Sequence, residues 1–272
     1  MPKEKVNKNN KAGLSKEAKE KRKINIIVYL SLRILVILCM IYQGLNHNWN
    51  NVALCILTLV LFTLPNVISK RFDITFPETL EIIVYLFIFS AAILGEIQNF
   101  YQLFTHWDTI LHASNGVICA AIGFSLIDLL NTNNENVDLS PLFLTLVAFT
   151  FSMTVGVMWE FAEFAVDNYL GKDMQKDKIV EKFQSVKINE SGENEPVKVE
   201  NIGRTEIYDK TGSQIVAIED GYLDIGLYDT MKDLIVNFVG AVIFSIFGYL
   251  YLKNREGYRF IEILLPRRNR TE

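Results

Sequence analysis

Cysteine is nearly absent from this chain: Cys39, Cys55 and Cys119 are the only three in 272 residues, each inside an apolar run and none in a CxxC or metal-type spacing. That argues against a disulfide framework and a thiolate metal site, and the three read as small apolar packing residues. Histidine is equally scarce, at three, and there is no HExxH pair. No glycine-rich nucleotide loop occurs, which argues against ATP-driven action by this chain alone. No nucleic-acid motif occurs, and the net charge of −4 averages a basic inner face against an acidic outer loop. There is no internal repeat, which weighs against transporter folds built from inverted halves.

Apolar residues, by contrast, make up 50% of the sequence. They fall into six blocks, approximately 24–45, 52–68, 79–96, 108–130, 141–166 and 230–252. Each is close to the roughly 17–25 residues a helix needs to cross a hydrocarbon core of about 30 Å. The first block is too long for a cleavable signal, and Tyr42-Gln43-Gly44-Leu45-Asn46 is a poor cleavage site. Pro65 and Pro77 mark helix ends. Trp49, Tyr101 and Trp107 fit an interfacial aromatic belt.

Orientation follows from lysine and arginine. The tail before Lys23 is polybasic, the 69–78 loop holds Lys70 and Arg71, and the C-terminal tail carries Arg267, Arg268 and Arg270, while loops 46–51 and 97–107 hold none. Both termini are therefore expected in the cytoplasm. The organisation that follows is a basic tail over 1–23, five spans over 24–169, an outer insert over 170–228, a sixth span over 229–253 and a basic tail over 254–272. The fold class is all-α, with six transmembrane helices and a small β-rich extracytoplasmic insert between the fifth and sixth.

Short alternating runs support the β-rich reading of the insert: Val197-Lys198-Val199, Glu206-Ile207-Tyr208 and Gln214-Ile215-Val216-Ala217-Ile218. Asp209-Lys210-Thr211-Gly212, between the last two, is a hairpin turn signal. The N-terminal tail, polar and charged, is expected to be disordered or to lie on anionic lipid.

Acidic residues cluster at the helix ends expected to share the outer side. Asp108 and His112 are four apart and share a face, with Asn115 a turn further on. Glu160, Glu163 and Asp167 recur at spacings of three and four, with Gly156 continuing that face inward. Asp229, Asp233 and Asn237 repeat at four, with Gly240 beyond, where a neighbour can approach closely. At about 1.5 Å per residue, His112, Glu160, Asp233 and Asn237 lie on the order of 6–12 Å below the outer surface.

Charged groups at that depth are costly and mark function by default. For Asp108 and Asp229 a helix-capping role is an even alternative, and Thr230-Met231-Lys232-Asp233 resembles a capping box. Glu160, Glu163 and Asp167 stand near a helix C-terminus, where the dipole disfavours negative charge, so a positive partner or a proton is needed. Arg33 and Glu81 read as a structural bridge, and Lys232 as a side chain reaching to water. His47 and His106 read as solvated, with His106 near enough to Asp108 to join the ring. With oxygen ligands dominant and one imidazole available, Mg²⁺, Mn²⁺ or Ca²⁺ suits the ring better than Zn²⁺.

These residues also carry a family resemblance. Trp107-Asp108-Thr109-Ile110-Leu111-His112, Trp159-Glu160-Phe161-Ala162-Glu163-Phe164, Met174-Gln175 and Asp229-Thr230-Met231-Lys232-Asp233-Leu234 resemble blocks of the YjdF-like bacterial multi-pass membrane proteins. Ala113-Ser114-Asn115-Gly116 and Asn237 depart from that pattern. The order of acids, histidine and asparagine is also distantly similar to the VanZ-like membrane proteins. The resemblance implies a bacterial cell membrane and no particular activity.

Three readings of the ring stay open. In the first, Asp108, His112, Glu160 and Asp233 hold a divalent cation and Glu163 is the base of a hydrolase or transferase acting on a lipid or cell-envelope substrate, with Asn115, Asp167, Asp229 and Asn237 as supporting polar groups. In the second, the same groups carry a proton or cation during transport. In the third, the ring fixes helix register and the 170–228 insert binds an envelope partner. The lipid bilayer is the partner common to all three, and nucleic acid to none.

Overall fold

Among the described residues, six helices are long and apolar enough to cross a membrane: Lys19–Leu45, Trp49–Arg71, Glu78–Ile97, Trp107–Thr132, Pro141–Leu170 and Leu227–Lys253. One falls on each apolar block of the sequence. The computed structural model describes residues 3–133 and 138–268, and Arg270 of the C-terminal basic group lies outside them.

The first helix, α1, runs over Lys3–Leu45. It therefore includes the basic segment expected to be disordered or surface-bound, whose Lys, Glu and Ala are strong helix formers. The second span is two helices, α2 (Trp49–Leu61) and α3 (Leu64–Phe72). The break falls at Phe62 and Thr63, before Pro65 in the first turn of α3, where the missing proline N–H costs nothing. Strand β1 (Ile74–Thr75) follows, then α4 (Glu78–Phe89), which continues as a π-helical stretch over Ser90–Ile97. A short α5 (Phe100–Leu103) leads into α6 (Trp107–Asn133) and α7 (Pro141–Leu170).

The chain divides into two compact units, Met1–Gly156 with Val236–Glu272, and Val157–Ile235. In the first, one core joins Ala120, Ala121 and Phe124 of α6 to Ala148 of α7 and to Ala241, Phe244 and Tyr251 of the last helix, α8 (Leu227–Lys253). Alanine and glycine recur here because without a water-driven hydrophobic effect, lipid-embedded helices associate by close backbone approach. A methyl group on Gly116 would meet the Asn237 carbonyl oxygen, and one on Gly240 the Ala113 carbonyl oxygen. A second core unites Leu32 and Val36 of α1, Cys55, Phe62, and Tyr85 and Ile88 of α4. Leu30, Ile34, Leu38 and Ile41 of α1 stay exposed, as a face solvated by lipid tails would be.

The expected Arg33–Glu81 bridge is not formed. Arg33 donates to Tyr29 Oη at 2.6 Å and lies over its ring, while Glu81 accepts from the Asn25 side-chain amide. Tyr29 wins because it stands four residues earlier on the same helix face, within reach without any second helix.

Three antiparallel pairs form the sheet structure of the second unit. They are β2 (Lys178–Val180) with β7 (Tyr222–Asp224), β3 (Phe183–Ser185) with β4 (Val197–Val199), and β5 (Arg204–Tyr208) with β6 (Gln214–Glu219). All three alternating runs of the sequence are strands. The Asp209 carboxylate closes the β5–β6 turn, accepting from the Thr211 amide and hydroxyl and from the Ser213 amide at 2.7–2.8 Å. These bonds hold its carboxyl below the ordinary aspartate value, the Thr211 hydroxyl contributing most. A fourth pair, β1 with β8 (Arg267–Arg268), belongs to the first unit.

Candidate functional site

In the first unit the polar residues form a pair and a node. Asp108 stands in the first turn of α6, and its Oδ1 lies 3.3 Å from His112 Nε2, the i,i+4 contact the spacing requires. A turn deeper, Asn115 Nδ2 donates to Asn237 Oδ1 at 3.0 Å. The Asn237 amide in turn donates to the Ser152 carbonyl at 3.4 Å, and the Ser152 hydroxyl donates to the Gly116 carbonyl at 2.9 Å. The Cys119 thiol donates to Asn115 Oδ1 at 3.3 Å, a polar contact beyond packing.

Asn237 is fully buried, and its amide sits where any side chain on Gly156 would be. Glycine at 156 is thus the space for the asparagine. Three helices meet at this node through Asn115, Ser152 and Asn237. A buried amide in an apolar setting is costly unless its donors and acceptors are bonded.

In the second unit, Glu160 and Glu163 are buried although they lie in an apolar helix. The Trp159 indole N–H donates to Glu163 Oε1 at 2.8 Å. Asp167, one turn on, accepts the backbone amides of Met174 and Gln175 at 2.6 and 2.8 Å. Asp229 Oδ2 accepts the Lys176 amide at 2.9 Å, and its Oδ1 lies 3.5 Å from the Lys178 ammonium. Gln175 donates to the Thr230 hydroxyl at 2.5 Å. The segment leaving α7 is therefore tied to the start of α8 by two carboxylates that take backbone amides.

Asp229 does not cap its own helix. The helix starts at Leu227, and Asp224 accepts the Tyr228 amide at 2.9 Å, so the resemblance of Thr230–Asp233 to a capping box is not realised. Lys232 does not reach only to water either: its ammonium lies 3.3 Å from Asp233 Oδ1 and 3.9 Å from Asp229 Oδ1. It supplies a positive partner for these acids, and Asp233 itself is almost completely buried. Outside the spans, partial desolvation and repulsion from Asp173, Asp167 and Asp224 push the Asp177 carboxyl upward. His106 and His47 remain exposed.

Sequence reasoning alone does not single out Ser152, Lys178 or Asp224. Ser152 was findable, standing four residues before Gly156 on the same face. Lys178 is brought to α8 by β2–β7 pairing, which no spacing in the sequence encodes, whereas Asp224 was findable as an acceptor four residues before Tyr228 at the start of the helix.

Comparison with known proteins gives a family and no activity. The model of the family described as "Predicted membrane protein (DUF2238)" matches residues 26–254. An uncharacterized protein of Thermotoga maritima is 29% identical over 106 residues, 39% of this chain. The match spans about half, 53%, of that relative's length. No solved structure matches.

Proposed function

We propose, from the premise that the chain belongs to the predicted membrane protein family DUF2238, that it is a multi-pass protein of the bacterial cell membrane whose buried acids and His112 hold a divalent cation for chemistry on a lipid or cell-envelope substrate. The observation that carries this reading is the Asn237 node. One turn from it along each of three unbroken helices stands a titratable residue: His112 three before Asn115, Glu160 four after Gly156, and Asp233 four before Asn237. Residues at that spacing keep the node's helix face and stand about 5–6 Å further along.

Asp108, His112, Glu160 and Asp233 then offer carboxylate oxygens and one imidazole, a donor set suited to Mg²⁺, Mn²⁺ or Ca²⁺. A cation there would polarise a phosphoryl or acyl oxygen and acidify bound water. Glu163, which accepts the Trp159 indole N–H, would serve as the base. Asn115 and Asn237 act as the floor of the site, orienting helices rather than ligating. Lysine and arginine bias supports cytoplasmic termini and an outer position for the insert, which offers a surface for an envelope partner.

One observation favours a structural role for part of the ring. Asp167 and Asp229 spend their oxygens on backbone amides, so they belong to the link between α7 and α8 and not to the ligand set.

Thermal unfolding in detergent with Mg²⁺, Mn²⁺, Ca²⁺ or Zn²⁺ tests the reading. An ion present at about 100 times its Kd stabilises by ~2.7 kcal/mol. Glu160→Gln and Asp233→Asn should lose that shift, and Asp229→Asn should keep it. Absence of any ion-dependent shift in the wild type would refute the cation. Ion-driven flux in proteoliposomes without turnover of any lipid would assign the same residues to transport.

A further inference from the structure

Sequence spacing pairs none of the three cysteines, yet the fold brings two of them together. Helix α1 ends at Leu45 and α2 begins at Trp49, so the first two spans form a tight helical hairpin. His47 turns the link in the left-handed region, at φ 58°. Its amide donates to the Gly44 carbonyl at 3.1 Å, and the Asn48 amide donates to the Gln43 carbonyl at 2.9 Å. These bonds satisfy carbonyls that a helix end otherwise leaves free, and they fix how the chain returns.

The register of the two helices follows from the turn. Gln43 Oε1 accepts from Asn51 Nδ2 at 3.2 Å, and a methyl group on Gly44 would rest against Val52. Cys39 stands four residues before Gln43, and Cys55 four after Asn51. Residues four apart share a helix face, so where Gln43 meets Asn51, Cys39 is set to meet Cys55 one turn deeper. The two side chains do pack in one core, and the Cys39 thiol lies within hydrogen-bonding reach of the Cys55 thiol. Each is six residues, about 9 Å, from its helix end, so the sulfurs stand at equal depth. Cys55 is buried while Cys39 is only half-buried, which leaves one member of the pair reachable from the bilayer. Cys119 differs: it lies on α6, its thiol donating to Asn115 Oδ1.

We propose that Cys39 and Cys55 form a reversible disulfide that clips the first span to the second. The S–S bond forms as the two S–H bonds break, releasing two electrons and two protons. Inside the hydrocarbon the acceptor has to be lipid-soluble, and a quinone takes both electrons and both protons to become the quinol. A dithiol reverses the step by thiol–disulfide exchange and is itself oxidised to a disulfide. Lysine and arginine bias puts this end of the hairpin on the outer side, where disulfides persist. Neither cysteine belongs to the cation site, so the inference is independent of that reading.

Thiol counting on the full chain in lipid nanodiscs tests it. The protein is incubated with tetramethylbenzoquinone, whose ring has no free position for a thiol to add to, then blocked with N-ethylmaleimide in SDS and weighed intact. Of the three cysteines, the wild type should carry a single maleimide, on Cys119, after quinone and three after dithiothreitol. Cys119→Ser should carry none after quinone and two after dithiothreitol, while Cys39→Ser and Cys55→Ser should each carry two in both states. Peptide mapping of the wild type locates the bond if a serine variant does not fold. Three maleimides on the quinone-treated wild type overturn the proposal. So does a disulfide that forms only between two chains, seen as a dimer on a non-reducing gel, or one that consumes Cys119.

Discussion

Removing Asn237 probes the node on which the site is built. Asn237→Ala deletes the bond from Asn115 at 3.0 Å and the bond to the Ser152 carbonyl at 3.4 Å. Interhelical hydrogen bonds in a membrane contribute about 0.6 kcal/mol each, reaching ~1.7. The Asn115 amide is left without its acceptor, which adds about 1–3 kcal/mol if nothing replaces it. Truncation also opens a void beside Gly156 that the packed helices cannot easily close. The expected loss is therefore about 2–4 kcal/mol, large against the 5–15 kcal/mol typical of a folded protein. Unfolding in mixed micelles, followed by tryptophan fluorescence, measures it. A double-mutant cycle isolates the pair, because Asn115→Ala and Asn237→Ala together should cost about 0.6–1.7 kcal/mol less than their sum. Strict additivity, or a loss under about 0.5 kcal/mol for Asn237→Ala, would show that the node does not hold the helices.

Other outcomes follow from the second unit and from topology. Asp229→Ala should cost about 1–3 kcal/mol by leaving the Lys176 amide without its acceptor, while Asp229→Asn, which keeps an oxygen, should cost less than half as much; denaturant midpoints of the two variants decide. Because the Asp209 carboxyl is held below the ordinary value of 3.8, it contributes stability above that pH and loses it as pH falls through its folded value. The protection of the Thr211 and Ser213 amides from hydrogen exchange, relative to their intrinsic rates, should therefore fall as pH drops below 3.8, and Asp209→Ala should abolish this dependence. In a background lacking the native cysteines, Ser191→Cys should react with an impermeant reagent in intact cells and Glu256→Cys only after permeabilisation; equal reaction would reverse or scatter the proposed topology.

What the sequence shows depends on the range of the forces involved. The six spans are legible because apolar runs near twenty residues have one low-energy solution in a bilayer. The turn at Asp209–Gly212 is legible because the aspartate and its acceptor sites lie within four residues. The π-helical stretch over Ser90–Ile97 is not, since its register depends on Tyr101 lying against Gly95 and on the Trp107 indole reaching the Ser90 carbonyl. Arg33 is instructive in the other direction. A partner on another helix was expected from charge, and a nearer tyrosine on the same face took it. Likewise, Asp108, His112, Asn115 and Asn237 are visible as spaced polar residues, but the choice of Asn115 as the partner of Asn237 lies 122 residues away in the chain. Asp167 and Asp229 read as ring members by spacing, while their bonds go to backbone amides delivered by the β-rich segment.

Elemental analysis of the purified full chain, after dialysis against metal-free buffer, tests the central claim most directly. About one Mg²⁺, Mn²⁺ or Ca²⁺ should remain per wild-type chain, leave on chelation, return when the ion is restored, and be missing from Glu160→Gln and Asp233→Asn. A wild-type protein that holds no divalent ion before or after such restoration, with both variants indistinguishable from it, would contradict the account.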